Sequence, residues 1–220
     1  MGLTGGMGCG KSTVASFFRE AGFAVLESDY LVRELWEQDA EVQEAALARW
    51  GEDVKQEGGR WKVEDKSQRA ETGNQQSEIS TPQFRASIDR RKVAEIVFAD
   101  PAELEWLENL LHPKVRVRWQ AALAAAPEQD WLVEIPLLFE KNLASGFDFT
   151  LCVWASPATQ AQRLAQRGLS PTEMAARQAR QWPLQDKAAR ADLVVSNDGS
   201  PGFLRRQVEW LAARFRRPSL

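Results

Sequence analysis

Residues Gly5-Gly6-Met7-Gly8-Cys9-Gly10-Lys11-Ser12 satisfy the spacing G-x-x-x-x-G-K-[ST] in full. This element constrains the fold more than any other in the chain. Glycines let a backbone take positive φ and turn successive N–H groups inward. Those N–H groups, together with the N-terminus of a following helix, form a nest for phosphate oxygens. In such a nest Lys11 reaches the β- and γ-phosphates and the Ser12 hydroxyl ligates Mg²⁺. The pattern requires a strand before it and a helix after it. Met1-Gly2-Leu3-Thr4 supplies a very short apolar start, and helical patterning runs from about Lys11 to Ala21, with Gly22 as a C-cap. So short a first strand is expected to leave the centre of the sheet weak.

The rest of the chain alternates in the way an α/β fold demands. Phe23 to Leu26, Trp131 to Ile135, Phe149 to Ala155 and Leu193 to Ser196 read as strands buried on both faces. Helical patterning occupies about Tyr30 to Trp50 and, with breaks, Pro82 to Ala126. Asp100-Pro101-Ala102-Glu103 predicts a capped helix start, with Asp100 as N-cap and Glu103 closing a capping box. Ser156-Pro157, Ser170-Pro171 and Ser200-Pro201 predict three more. Glu64 to Ser80 is polar and lacks apolar periodicity, so it reads as a surface loop or insertion. The expected fold is a mostly parallel sheet flanked by helices.

Composition removes several functions. With 220 residues the chain suits one core with inserted subdomains, and its net charge of −3 gives no global field for nucleic acid. No apolar run is long enough to span a membrane, and no signal peptide is seen. Cys9 and Cys152 lack metal-ligand spacing and fit a reducing cytosol.

Asp29 follows the second strand. In a doubly wound sheet the carboxyl ends of the strands gather at the ligand crevice. A carboxylate there can orient an acceptor hydroxyl and take its proton during phosphoryl transfer. Position alone leaves a helix N-cap as an equal alternative.

With these residues in hand, the chain resembles the dephospho-CoA kinase family, whose fold is the P-loop NTPase type. Leu3 to Ala15 is similar to the family's L-T-G-G-I-G-S-G-K-S-T-V-A, with Met7 and Cys9 at its variable positions. Glu27-Ser28-Asp29 stands where the family has D-A-D, so only the second acid is kept. Ile88-Asp89-Arg90, Val97-Phe98, His112-Pro113, Ile135-Pro136-Leu137-Leu138-Phe139-Glu140, Gln160-x-x-Arg163-Leu164-x-x-Arg167, Arg177-x-x-x-Gln181 and Ala191-Asp192…Asn197-x-Gly199 follow in the family's order. The stretch from about Glu57 to Ser87 is longer than the family usually has.

The resemblance implies ATP-dependent phosphorylation of the ribose 3′-hydroxyl of dephospho-CoA, the last step of CoA biosynthesis. It implies Asp29 as catalytic base, with Lys11 and Arg163 as its catalytic partners. It gives Gly6, Gly8, Cys9, Gly10, Lys11, Ser12, Thr13, Arg167 and Asn197 to ATP, and Asp29, Arg90, His112 and Arg177 to the acceptor. Ser12 is the expected protein ligand of Mg²⁺. Residues 1–29 and 127–220 would form the nucleotide-binding core, with a lid near 157–182. Residues 30–126 would form a helical acceptor-binding region carrying a polar insertion at 57–87. The expected partners are ATP and dephospho-CoA, with no nucleic acid and no membrane, in a cytoplasmic monomer or weak homo-oligomer. Two alternatives stay open: another small-molecule P-loop kinase, and a module that binds ATP without transferring phosphate. Glu27 and the short first strand hint at the latter. Glu134, in an otherwise apolar strand, would face Mg²⁺ waters or pair with an arginine.

Overall fold

The computed structural model describes residues 1–55, 88–166 and 178–216. The polar insertion, Arg167, Arg177 and the Ser170-Pro171 helix start lie outside the described residues. Five strands form one parallel sheet: β1 (Gly2–Gly5), β2 (Ala24–Glu27), β3 (Trp131–Glu134), β4 (Thr150–Trp154) and β5 (Leu193–Ser196). Their order is β2-β3-β1-β4-β5. The four apolar runs read from the sequence are strands. β1 is short, but all four of its residues are buried and it pairs with β3 on one side and β4 on the other. The Met1 carbonyl accepts from Val133 N at 3.0 Å and extends the ladder. The short first strand is therefore the centre of the sheet, held from both flanks.

Helix α1 (Lys11–Glu20) starts directly after the glycine-rich loop. It turns Val14, Ala15 and Phe18 into the core. It ends as the sequence predicts: Gly22 takes φ 92°, its N–H reaches Arg19 O at 3.0 Å, and Phe23 N reaches Phe18 O at 3.0 Å. Only glycine takes that conformation without a steric cost. Helix α8 (Pro201–Phe215), capped by the Ser200 side chain on Phe203 N, adds Leu204, Val208 and Leu211 to the same core as Leu3, Leu132, Leu151 and Val153. Phe18 is fully buried and meets Phe23 edge-on at 5.0 Å between ring centres. Phe18→Ala should therefore cost about 3–5 kcal/mol of stability. Urea unfolding of the purified variant checks this, and a loss below about 1 kcal/mol would contradict the assigned core.

Two compact units are distinguished, Met1–Arg33 with Glu108–Leu220, and Glu34–Leu107. The described part of the second is mostly helical. The expected single helical stretch from Tyr30 breaks into α2 (Ser28–Gln38) and α3 (Ala40–Trp50), because the Asp39 side chain caps Val42 N at 3.1 Å. Helix α4 (Arg90–Ala99) is capped by Asp89 on Arg91 N. Helix α5 (Pro101–Ala125) is capped by Asp100 on Ala102 N at 2.8 Å.

One expectation fails here. Glu103 does not close a capping box; its carboxylate takes Arg49 in two bonds of 3.0 and 2.7 Å and Trp50 Nε1 at 2.7 Å. A charge-assisted bidentate pair outcompetes a bond to one backbone N–H. His112 is helical despite preceding Pro113, because α5 runs through the proline. Leu111, Val115 and Trp119 are buried at helical spacing, and that buried stripe outweighs the hydrogen bond lost at Pro113.

Candidate active site

Gly5, Gly8 and Gly10 have φ of 147°, 75° and 87°. A side chain is excluded for spatial reasons as well. A Cβ on Gly8 would lie 2.9 Å from Gln160 O, and one on Gly10 would lie 2.2 Å from Asn197 Nδ2. Among the described residues, the backbone N–H groups of Met7, Gly8, Gly10, Lys11 and Ser12 have no intramolecular acceptor. Five free donors on one glycine-rich turn and one helix N-terminus make an anion nest. Lys11 Nζ donates to Gly5 O at 3.2 Å and Gly6 O at 3.1 Å, so its ammonium lies against the same turn.

The carbonyl side of the turn is braced separately. Helix α6 (Pro157–Ala165), capped by Ser156 on Thr159 N, carries Arg163. The Arg163 guanidinium donates to Gly8 O (3.3 Å), Cys9 O (3.4 Å) and Asn197 O (2.9 Å). Asn197 Nδ2 donates to Cys9 O at 2.7 Å. Arg163 and Asn197 therefore hold the loop through its backbone. Cys9 contributes that carbonyl, whereas its thiol is fully buried, and burial pushes its pKa up. Ser12 and Thr13 are exposed on the first turn of α1.

Asp29 is the second residue of α2 and is exposed. It does not cap the helix, which begins one residue earlier, and it makes no hydrogen bond or ion pair among the described residues. A carboxylate is electrostatically favoured in a first turn. The start of α2 is tied down by Ser28 Oγ, which donates to Glu134 O at 2.7 Å. The register places Glu27, Glu134 and Leu3 side by side across β2, β3 and β1. Two strand spacings are roughly 10 Å. Asp29 and the glycine turn thus leave the sheet at the same edge, each two residues past that row.

Glu27, the departure from D-A-D, pairs with Arg19 at 2.9 Å on the surface. Glu134 is buried and is not free of partners. His112 is half-buried, and desolvation lowers its pKa despite the nearby Glu108, so the neutral imidazole prevails near pH 7. Glu108 itself takes Lys141 at 3.1 Å and Arg180 at 2.7 Å. In the other unit, Arg90 is exposed and makes no ion pair among the described residues. Sequence reasoning missed Ser28, whose part is visible only once β2 and β3 are paired. It also missed the bracing geometry of Arg163 and Asn197.

The donor set suits Mg²⁺. Among the described residues no cluster of three acidic, histidine or cysteine side chains could form a protein cage for a metal. Mg²⁺ keeps its waters and uses few protein oxygens beside substrate phosphates, so one exposed hydroxyl at Ser12 beside a phosphate nest fits it.

A parallel sheet of this order, with a G-x-x-x-x-G-K-S turn leaving its central strand, is the fold of a P-loop kinase. The sequence model of the dephospho-CoA kinase family matches residues 1–71 and 73–201, and the chain belongs to that family. It is 35% identical over 250 aligned residues to the dephospho-CoA kinase of Synechococcus sp. (strain JA-2-3B'a(2-13)), covering 99% of this chain and 94% of the relative. It is likewise 35% identical to that of Chlorobium luteolum, covering 90% of this chain and 82% of the relative. Among solved structures, TT1252 from Thermus thermophilus superposes with a TM-score of 0.70 at 32% identity, covering 97% of this chain and 96% of that one. A dephospho-CoA kinase from Campylobacter jejuni shares the fold with a TM-score of 0.62 at 22% identity, covering 98% and 96%. No described helix is long and apolar enough to cross a membrane.

Proposed function

We propose that this protein transfers the γ-phosphoryl group of ATP to the ribose 3′-hydroxyl of dephospho-CoA, giving CoA and ADP. The observation that carries the reading is an exposed Asp29, without a partner among the described residues, at the same sheet edge as the glycine-rich nest, in a chain that matches its family along nearly its whole length.

The five free N–H groups bind the ATP phosphates, and Lys11 moves from the loop carbonyls to the β- and γ-phosphates. Ser12 would hold Mg²⁺, which would supply positive charge to neutralise the phosphates during transfer. Asp29 accepts the proton of the acceptor hydroxyl as that oxygen bonds to the γ-phosphorus and the bond to the β-phosphate oxygen breaks. Arg163 serves transfer by keeping the loop in shape, its charge set against the Gly8 and Cys9 carbonyls. By resemblance, Asn197, Thr13 and Arg167 belong to the ATP side, and Arg90, His112 and Arg177 to the acceptor side. Residues 30–126 then supply the acceptor-binding region. The enzyme works in the cytoplasm as a monomer or weak homo-oligomer, a setting that suits two unpaired, buried thiols.

A coupled ADP-release assay with Mg-ATP, with and without dephospho-CoA, followed by mass analysis, tests the reading. The expected result is ADP release that depends on dephospho-CoA, with CoA as product. Transfer to a different small-molecule acceptor, or ATP binding without transfer to any, overturns it.

A further inference from the structure

Helix α7 (Leu184–Arg190) carries Lys187, the one fully buried cation among the described residues. Its Nζ donates to Pro136 O at 2.7 Å and to Glu140 Oε1 at 2.8 Å. The Glu140 side chain is 8% exposed, and Oε1 also accepts Trp182 N at 2.8 Å. Its other oxygen, Oε2, is buried with no hydrogen-bond partner among the described residues. Taking an ammonium and a carboxylate out of water is costly for each, and an apolar pair of the same volume is often as stable or more so. With one carboxylate oxygen unpaired the arrangement is dearer still. Stability alone does not account for this pair.

Its connections do. The Pro136 carbonyl that Lys187 grips also accepts Thr4 Oγ1, at 3.2 Å. Thr4 leads straight into Gly5 and Gly6, whose carbonyls carry Lys11. On the other limb, Glu140 fixes the approach to α7, and Leu184 of that helix lies 3.8 Å from the place a Gly6 Cβ would take. We propose that Glu140 and Lys187 are positioning residues for phosphoryl transfer: as a buried pair they hold the entry to the phosphate loop, through Pro136 and Thr4 on one side and Leu184 on the other. This rests on the phosphoryl-transfer reading above and adds two residues to it. The charged and titratable groups facing Lys187 are Glu140, Lys11 and Cys152, and burial sets its pKa below the ordinary value.

The test uses the full chain as Glu140→Gln, Lys187→Met and the double variant. Each single variant should melt at a lower temperature, and the double variant should regain most of the loss, because no buried charge is left unpaired. Its kcat should nonetheless stay roughly ten- to a hundredfold below wild type, the scale of a displaced reacting group, with KM for dephospho-CoA nearly unchanged. ATP affinity, read by calorimetry, should fall as well. A double variant with wild-type stability, kcat and ATP affinity overturns the proposal and leaves the pair a packing feature.

If the double variant does not fold, Glu140→Gln decides through pH. The amide keeps an acceptor for Trp182 N–H but removes the carboxylate that favours the ammonium, so the Lys187 pKa falls further. The folded state then binds fewer protons than the unfolded state between that lowered pKa and the ordinary 10.5. Wild-type Lys187 is itself depressed, though less far, so the deficit against wild type is fully present below the variant's Lys187 pKa and shrinks as pH rises from there to the wild-type Lys187 pKa. The ratio of variant to wild-type kcat should change over the same range, and a ratio that is flat with pH overturns the proposal. Wild-type protein without dephospho-CoA-dependent turnover would refute the acceptor reading; the ATP affinities of the variants still decide this one.

Discussion

Asp29→Asn should bind ATP as tightly as the wild type and turn over roughly 10²- to 10⁴-fold more slowly. The asymmetry follows from where the residue sits. Asp29 makes no hydrogen bond or ion pair among the described residues, so the amide breaks no contact on replacing the carboxylate. The bond that places it belongs to its neighbour, Ser28 Oγ on Glu134 O, and survives the change. The phosphate nest is built from other strands and helices and is untouched. The loss is confined to proton acceptance in the transition state, and that lowers kcat without weakening ATP binding. ADP release under saturating substrates gives the first quantity and titration calorimetry gives the second. Near-normal turnover would remove Asp29 as the base.

Lys11→Ala should fail in a different way, losing ATP affinity and turnover together. In the structure the ammonium is held by Gly5 O and Gly6 O at 3.2 and 3.1 Å. It therefore stands at the mouth of the nest before any phosphate arrives. Removing it takes away a cation and leaves two carbonyl dipoles facing the incoming phosphates. Deleting one group that stabilises developing charge costs about 10²- to 10³-fold in turnover elsewhere, and a loss of that order is expected here. Arginine should not restore activity, because a planar guanidinium does not replace a compact ammonium. The pair of variants separates the two halves of the site: one lowers kcat alone, the other lowers kcat and raises KM for ATP. Normal steady-state kinetics for Lys11→Ala would contradict the loop assignment.

The parts that could be read from the sequence are those fixed by local chemistry. The glycine turn needs particular residues at particular places. The central strands β1, β3 and β4 are mostly apolar because both their faces are covered, and the caps at Asp100, Ser156 and Ser200 act within three residues of themselves. What escaped was set by partners distant in sequence. Glu103 looks like a capping residue until Arg49 and Trp50, more than fifty positions away, claim it. Lys187 stands in the polar stretch Gln185-Asp186-Lys187, where nothing local marks it for burial, yet it is fully buried because Pro136 and Glu140 lie beneath it. Glu140 is visible as part of a motif, but its task emerges only from the partners the fold gives it. Asp29 lies between these cases: its position in the chain suggested two roles, and only the observed start of α2 excludes the cap.

The burial of Cys9 and Cys152 makes the chain its own clock for opening. Neither thiol touches water, and burial drives the Cys152 pKa up to about 12, so thiolate is scarce on both. A thiol reagent can then react only in moments when the surrounding structure parts. Cys9 reports the moments when the phosphate loop comes loose, and Cys152, in the middle of β4, those when the sheet itself opens. Bound ATP would slow the first without having to slow the second. The ratio of the two labelling rates therefore reads how far the nucleotide tightens its own loop relative to the rest of the molecule.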